Sequence, residues 1–289
     1  MIDYDKTRAW RSDEVRHSYT SRDAILYALG IGIGADPLDL RQLRFTFEKE
    51  LVVLPTMACV LASPGFWMRD RAEMGIDFLK LVHGEQSVVV HAPLPASGAL
   101  VGRSQVTRIV DKGEGKGAIL YVEKTLSDAV SGQLLATTEQ VLFLRGDGGF
   151  SARGGGDPAA SALAPTPERA PDLVVDMPTR PDAALLYRLS GDLNPLHADP
   201  AIALRAGFQR PILHGLATYG LACHVIVREF CDYDPARLKA IRARLSSPVY
   251  PGETIRLECW KGADGAIAFR GRVAEREVVV LSHGTATVP

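Results

Sequence analysis

The sequence predicts an α+β protein built from two similar halves, each with antiparallel strands and an associated helix. Three observations support this fold class. Strand-like runs occur on both sides of a central stretch rich in Gly, Ala, Pro and Ser. A strand, proline, turn and strand pattern occurs once in each half, at residues 90–102 and 245–257. One long segment, residues 215–230, is apolar nearly all round until its end.

The strands are predicted from runs of Val, Ile, Leu and Thr that end at turn residues. The first half contains four such runs, at residues 87–91, 100–110, 118–126 and 134–144. The second half contains four more, at residues 240–245, 254–260, 266–273 and 278–287. The glycine-rich sequence GEGKG at 113–117 lies between two of these runs. It is therefore interpreted as a hairpin turn, because it lacks the spacing of a phosphate-binding loop.

The boundary between the halves is predicted from composition. Residues 146–172 contain little that could be buried and several residues that resist regular structure. We therefore expect an N-terminal half at residues 1–148, a linker at 149–175 and a C-terminal half at 176–289.

Each half also offers a helix that a curved sheet could enclose. The apolar segment 215–230 fits this position in the second half. Residues 55–62 are the predicted counterpart in the first half. The sequence GIGIGA at 30–35 comes after a helix-like run, residues 22–29, and Pro37 interrupts the helix that a phosphate-binding turn would need. A dinucleotide-binding interpretation is therefore rejected.

Composition and charge limit the partners and the compartment. With 46% apolar residues and a net charge of −1, the chain can bury a large core but has no basic surplus for nucleic acid. Its four cysteines lack metal-ligand spacing and are predicted to be buried free thiols. The polar N-terminus does not resemble a signal peptide, and no apolar run reaches membrane-spanning length. We therefore expect a cytoplasmic protein with no membrane partner.

The sequence YRLSGDLNPLH at residues 187–197 is the most informative motif. A glycine and a proline bend this stretch, so Asp192, Asn194 and His197 can face one small volume. An acid and an imidazole held together can take a proton from water and return one nearby, as hydration of a double bond requires. The alternative is that Asp192 and Asn194 only form side-chain-to-backbone turns and that His197 caps the next helix.

This motif resembles the signature of the hydratase 2 family, the (R)-specific enoyl-CoA hydratases related to MaoC-like dehydratases and to the hydratase part of peroxisomal multifunctional enzyme type 2. The resemblance continues through residues 197–220 and reappears upstream in YALGIG (27–32), LPT (54–56), HGEQ (83–86) and DKGEG (111–115). It implies a tandem double hot-dog fold, in which each half is a curved antiparallel sheet around a central helix. It also implies reversible hydration of trans-2-enoyl-CoA to (3R)-3-hydroxyacyl-CoA in fatty-acyl metabolism.

The resemblance implies roles for four residues of the second half. Asp192 and His197 would activate water and transfer the proton, and Asn194 would orient the water or the pair. The backbone N–H of Gly215 would stabilise the thioester oxyanion. Gly215 opens the apolar segment 215–230, where N–H groups lack partners within the helix and the dipole is positive. The alternative is that this glycine only permits tight helix packing.

The resemblance implies further residues that contact substrate, namely His83, Gly84, Lys112, Leu193, Pro195, Leu196 and Leu245. Lys112 would meet the CoA moiety, unless it is only a solvated turn residue. The family usually has an aromatic residue at the position of Leu245, so we expect a softer or wider pocket wall there. The first half has no catalytic loop and would hold the acyl chain. We expect no metal and no separate cofactor. We expect a homodimer.

Two other functions stay open. Hot-dog proteins include acyl-CoA thioesterases, and a hot-dog chain can also be a non-catalytic acyl-binding subunit. Asp192, Asn194 and His197 in one loop favour hydration, which needs paired proton transfer. His214 and His224 lie in or beside the apolar segment and are predicted to be hydrogen-bonded core histidines.

Overall fold

In residues 2–289, which the computed structural model describes, ten strands form one antiparallel sheet. The strands are β1 (Val15–Tyr19), β2 (Leu81–Val90), β3 (Gly98–Asp111), β4 (Ala118–Asp128), β5 (Leu134–Leu144), β6 (Leu173–Pro178), β7 (Ala240–Leu245), β8 (Thr254–Lys261), β9 (Ala266–Val273) and β10 (Val278–Thr287). Their order across the sheet is β1-β3-β4-β5-β2-β7-β10-β9-β8-β6.

The strand order shows that the two halves are copies of one unit. When the five strands of each half are numbered along the chain, their spatial order from the outer edge of the sheet inward is first, third, fourth, fifth and second. The two copies meet where β2 pairs with β7. The predicted tandem double hot-dog is therefore confirmed. All eight predicted runs form strands, whereas the short edge strands β1 and β6 were not predicted.

Six α-helices accompany the sheet in the described residues: α1 (Tyr4–Arg8), α2 (Ser21–Gly30), α3 (Leu40–Thr46), α4 (Ala183–Tyr187), α5 (Pro200–Arg205) and α6 (Gly215–Phe230). Helix α6 is the predicted enclosed helix, and its residues 216–227 are all buried. Gly220 lets another segment approach it, because a Cβ there would lie 2.7 Å from Ile31 Cγ2. The apolar pattern thus predicted both the existence and the environment of this helix.

The first half has no counterpart of α6, and that part of the prediction was wrong. The segment predicted as a helix at residues 55–62 contains only a five-residue 3-10 helix, Pro55–Cys59. The chain turns at Ala62, which adopts a left-handed φ of 47°. Pro64 then disfavours a helical conformation at the residue before it. The helix therefore cannot extend as α6 does.

Lys124 on β4 compensates for this early helix end. Its side chain is buried, and its Nζ donates to the carbonyl oxygens of Ala58 at 2.8 Å, Cys59 at 3.1 Å and Leu61 at 2.5 Å. A helix end leaves such carbonyls without partners, and an ammonium group supplies three donors. Burial lowers the pKa of Lys124 to about 8. The three carbonyls are thus satisfied inside the first half.

The predicted linker is partly ordered against the first half. It contains a 3-10 turn, Phe150–Arg153. The Asp157 carboxylate accepts hydrogen bonds from the Ile109 backbone N–H at 2.7 Å and the Tyr4 hydroxyl at 3.1 Å. The predicted linker end at residue 175 is too late, because β6 already begins at Leu173 to pair with β8.

The four cysteines, Cys59, Cys223, Cys231 and Cys259, are all buried and unpaired, which confirms the prediction of free thiols. No helix within residues 2–289 has the length and apolar character needed to cross a membrane.

We predict that Lys124→Met lowers the free energy of unfolding by about 3 kcal/mol, because each buried carbonyl left without a donor costs about 1–3 kcal/mol. Urea denaturation measures the change. Lys116→Met, on the exposed β3–β4 turn, is the matched control and should leave stability within about 0.5 kcal/mol of the parent. Equal stability of the two variants would show that Lys124 does not support the short helix.

Candidate active site

The catalytic loop, residues 191–197, connects α4 to α5 and is held by its own side chains. Asp192 Oδ1 accepts a hydrogen bond from the Asn194 backbone N–H at 3.2 Å. Asn194 Oδ1 accepts one from Leu196 N–H at 3.0 Å and so caps the 3-10 turn Pro195–His197. These are the turn contacts that the alternative interpretation predicted. They use one oxygen of each side chain, which leaves the second Asp192 oxygen and the Asn194 NH₂ group for other partners.

His197 is buried and oriented by one hydrogen bond. Its Nδ1 lies 2.8 Å from the carbonyl oxygen of Ile212, so Nδ1 carries the proton and Nε2 is the free acceptor in the neutral ring. Burial lowers the pKa of His197, although the Ile212 carbonyl and the Asp192 carboxylate partly oppose this shift. A neutral imidazole at pH 7 can accept a proton at Nε2.

His214 also belongs to this site, which the sequence analysis missed. Its ring stacks on that of His197, with centroids 3.7 Å apart and planes 26° apart. Its Nε2 lies 3.1 Å from the Asp192 carbonyl oxygen. Burial and the neighbouring His197 ring lower the pKa of His214 to about 4. The prediction of a hydrogen-bonded histidine is confirmed, but His214 packs on the His197 ring and not merely in a core.

His224 differs from its prediction in another way. It is buried in α6, as expected, and burial lowers its pKa to about 3. However, neither ring nitrogen has a hydrogen-bond partner among the described residues. The prediction of a hydrogen-bonded His224 was therefore wrong.

Asp192, His197 and His214 together have the residue types of a metal site. Each offers one ligand atom, and the three atoms lie within 4.8 Å of one another. Metal coordination requires lone pairs that converge on one ion at about 2.0–2.1 Å. The two imidazoles instead lie face to face, with planes 26° apart and centroids 3.7 Å apart, so their in-plane lone pairs lie in separate, nearly parallel planes. The arrangement fits proton transfer better than metal binding.

Gly215 begins α6, so its backbone N–H lies at the positive end of a 16-residue helix. A Cβ at this position would lie 2.6 Å from Leu245 Cδ1. Leu245, the last residue of β7, therefore packs directly on Gly215. The tight packing that the alternative interpretation predicted is present, and it places Leu245 beside the helix start.

The first half reaches this site through β2. Glu85 of β2 lies opposite Arg244 of β7, the residue directly before Leu245. His83 Nε2 donates to the Glu85 carbonyl oxygen at 3.0 Å. Burial lowers the pKa of His83, and the charge of Asp192 opposes the shift. His83 and Gly84 thus lie near the catalytic loop.

The other predicted contacts lie further out. The side chain of Leu193 is 58% exposed, Pro195 is exposed and Leu196 is half-buried. Lys112 is exposed on the β3–β4 turn, and its backbone N–H donates to the Gly117 carbonyl at 3.0 Å. Of these four residues, only Leu196 is partly buried. The structure therefore does not place their side chains in the cluster of Asp192, His197 and His214.

The Lys112 turn nevertheless lies at the catalytic end of the first half. Ala118, which comes directly after the turn, pairs with Leu144, and Leu144 pairs with Leu81, two residues before His83. Neighbouring strands lie about 4.8 Å apart, so two strand spacings separate Ala118, at the end of the turn, from Leu81 of β2.

An apolar cavity of about 310 Å³ lies at the opposite end of α6 from Gly215. A 16-residue helix is about 24 Å long, so this cavity is separate from the catalytic loop. Most of its walls come from the first half, and they include Val53, Pro55, Val90, Ala92, Leu135 and Pro235.

The chain matches two domain families along its length. The MFE-2 hydratase 2 N-terminal domain matches residues 17–146, and the MaoC like domain matches residues 162–283. The 3-hydroxyacyl-thioester dehydratase Y of Mycobacterium tuberculosis is 45% identical over 262 residues, which cover 89% of this chain and 87% of that protein. The chain belongs to the MaoC-like hydratase 2 family.

Other members of the MaoC-like hydratase 2 family match the whole chain. The enoyl-CoA hydratase ChsH3 of Mycobacterium tuberculosis is 40% identical over 291 residues, covering 100% of this chain and 99% of that protein. The crystal structure of a MaoC-like dehydratase from Phytophthora capsici has a TM-score of 0.85 and 32% identity, covering 100% of this chain and 99% of that chain. The catalytic loop falls in the MaoC like domain, and His83 and Lys112 fall in the N-terminal domain.

We predict that Gly215→Ala lowers the free energy of unfolding by about 1–3 kcal/mol, because the added methyl overlaps Leu245 Cδ1. Leu245→Ala removes the overlapping atoms. The double variant should therefore lose less stability than the sum of the two single losses, and urea denaturation of all four proteins measures this coupling. Additive losses would show that Leu245 does not pack on Gly215.

Proposed function

We propose that this protein hydrates trans-2-enoyl-CoA reversibly to (3R)-3-hydroxyacyl-CoA in fatty-acyl metabolism. The observation that carries the proposal is the arrangement of Asp192, a neutral buried His197 and the start of α6 at Gly215 around one volume. The names of two relatives, an enoyl-CoA hydratase and a 3-hydroxyacyl-thioester dehydratase, support the same reaction.

The proposed reaction begins with a water molecule held between the side chains of His197 and Asn194. The thioester carbonyl makes C3 of the enoyl group electrophilic, so the water oxygen bonds to C3 while His197 Nε2 takes a water proton. The electrons of the C2–C3 double bond move toward the carbonyl, and negative charge develops on its oxygen. The Gly215 N–H stabilises that charge at the positive end of α6.

The second step returns a proton to C2. The Asp192 and His197 pair supplies it, so one proton leaves water, one reaches C2 and the pair is restored. Asn194 retains its NH₂ group for the water, because its side-chain oxygen already accepts from Leu196 N–H. Dehydration takes the same path in reverse.

The acyl chain is proposed to extend into the first half. Gly191 of the catalytic loop faces the Val60 carbonyl, since a Cβ there would lie 4.0 Å from that oxygen. The segment between Val60 and Val53 leads from the loop to the apolar cavity. Met57, in this segment, has an unbranched side chain that adapts to irregular spaces. The cavity would then receive the far end of long chains.

The nucleotide is proposed to lie at the same end of the sheet as His83, with Lys112 near a CoA phosphate. The exposed ammonium group on a glycine-rich turn supports this contact. We further propose a cytoplasmic homodimer. The four unpaired, buried thiols fit a reducing compartment, and the dimer rests on the family resemblance.

Hydration and thioester hydrolysis are distinguished in one assay. Crotonyl-CoA loses its conjugated enoyl absorbance on hydration, whereas a thioesterase releases a free thiol. We expect loss of absorbance without thiol release, and chiral analysis should give the (3R) product. Thiol release would instead identify a hot-dog thioesterase, and the absence of both signals would leave a binding subunit.

We predict that Asp192→Asn and His197→Gln each lower kcat for crotonyl-CoA about 100-fold or more, because each removes an acid–base group and keeps a similar shape. Steady-state kinetics measures the loss, and circular dichroism confirms folding. Asp199→Asn is the matched control, since Asp199 only caps α5 from an exposed position. A variant of Asp192 or His197 that retains the parental kcat would remove that residue from the mechanism.

We predict that Ala92→Phe raises KM for hexadecenoyl-CoA about tenfold and leaves crotonyl-CoA kinetics unchanged, because the ring fills the distal cavity that only long chains reach. Ala159→Phe adds the same ring at an exposed linker position and serves as the control. Equal effects on the two substrates would mean that the acyl chain does not enter this cavity.

A further inference from the structure

We propose that His214 is a positioning residue, which fixes the catalytic loop and the His197 ring relative to the start of α6. This inference rests on the proposed hydration function, because it assigns His214 to the same site. Three contacts carry it, each made by a different part of the residue: a ring nitrogen, the ring face and the backbone.

The first contact joins two distant parts of the chain. His214 Nε2 donates to the Asp192 carbonyl oxygen at 3.1 Å across a separation of 22 residues. This bond fixes the backbone that carries the Asp192 carboxylate. The other side-chain hydrogen bonds of the loop are its own short turns and the bond from His197 to Ile212, and none of these holds the Asp192 backbone to the start of α6.

The second contact is made by the ring face. His214 lies between His197, at 3.7 Å between centroids, and Tyr187, at 5.0 Å. All three rings are buried. His197 has a single side-chain hydrogen bond, to Ile212, about which its ring could otherwise tilt. The stack therefore keeps His197 Nε2 pointing in one direction.

The third contact is made by the backbone. The His214 carbonyl accepts hydrogen bonds from Ala217 N–H at 3.0 Å and Thr218 N–H at 3.2 Å, which begin α6. The next residue, Gly215, carries the proposed oxyanion donor. His214 thus links the loop, the His197 imidazole and the start of α6. The distance between the proposed base, His197, and the proposed oxyanion donor, Gly215, is therefore set by one residue.

Burial, more than the neighbouring charges, keeps the His214 ring neutral. His197 and Arg188 also oppose its protonation, whereas the Asp192 charge and hydrogen bond favour it. Burial lowers the pKa of His214 to about 4, so the ring is neutral at pH 7 and donates from Nε2. When His197 takes a proton during turnover, no positive charge lies against its face.

Two variants separate the hydrogen bond from the stack. His214→Phe keeps a ring against His197 but loses the donor, and kcat should fall about tenfold or more with a smaller change in KM, since the loop carrying Asp192 shifts. His214→Gln keeps a donor but loses the ring. Water then reaches His197, its pKa rises toward about 6.5, and the acid limb of kcat/KM moves to higher pH.

His224→Phe is the matched control, because it replaces another buried histidine of α6 that lacks hydrogen bonds; its kcat and acid limb should equal those of the parent. NMR titration of the His197 imidazole gives a readout that does not need activity. Parental kcat in His214→Phe, or an unchanged His197 pKa in His214→Gln, would overturn the positioning role. Failure of the proposed function is separate, because it would appear as an inactive parent protein.

Discussion

The pairing of β2 with β7 is the interaction on which the rest of the structure depends. It joins two five-stranded sheets and places Glu85 opposite Arg244, directly before Leu245. Glu85 fixes the register, because its carboxylate accepts from Arg242 at 2.7 Å and Arg244 at 2.8 Å while being almost fully buried. A slip by one residue would turn this carboxylate to the other face and leave a buried charge unpaired. This register places β2 of the first half beside β7 of the second, whose last residue, Leu245, packs on the proposed oxyanion donor Gly215.

The two halves share a topology but have diverged inside it. The second half encloses α6, which continues for 16 residues and is buried from Leu216 to Val227. The first half retains only the 3-10 helix Pro55–Cys59, and Lys124 meets the carbonyls that the lost turns would have satisfied. A shorter helix fills less of the space under the sheet, and an apolar cavity lies beside this segment. We propose that the second half is specialised for chemistry and that the first half retains room for the acyl chain.

The sequence predicted what depends on long regular patterns. The eight predicted strands and α6 arise from apolar runs whose burial the sheet then enforces. Strand β1 was not predicted, because its five residues, VRHSY, are mostly polar and pair only at an edge of the sheet. In the sequence, Lys124 looks like an ordinary lysine of a strand. Its three carbonyl partners lie more than 60 residues away along the chain, so its role could not be predicted. The role of His214 depends on ring stacking with His197, which no spacing in the sequence specifies, although its place directly before Gly215 was the available signal.

Hydration of a double bond demands a base, a water and an oxyanion donor whose mutual positions vary little. In the mechanism we propose, the fold meets this demand by using the start of α6 as the reference for the base and the donor. Gly215 and His214 are consecutive residues at the start of α6, and His214 holds both the Asp192 backbone and the His197 ring. Movement of α6 would displace the donor and the base together, so their separation would change little. Enclosure of this helix by the sheet therefore protects the geometry of the site as well as the core.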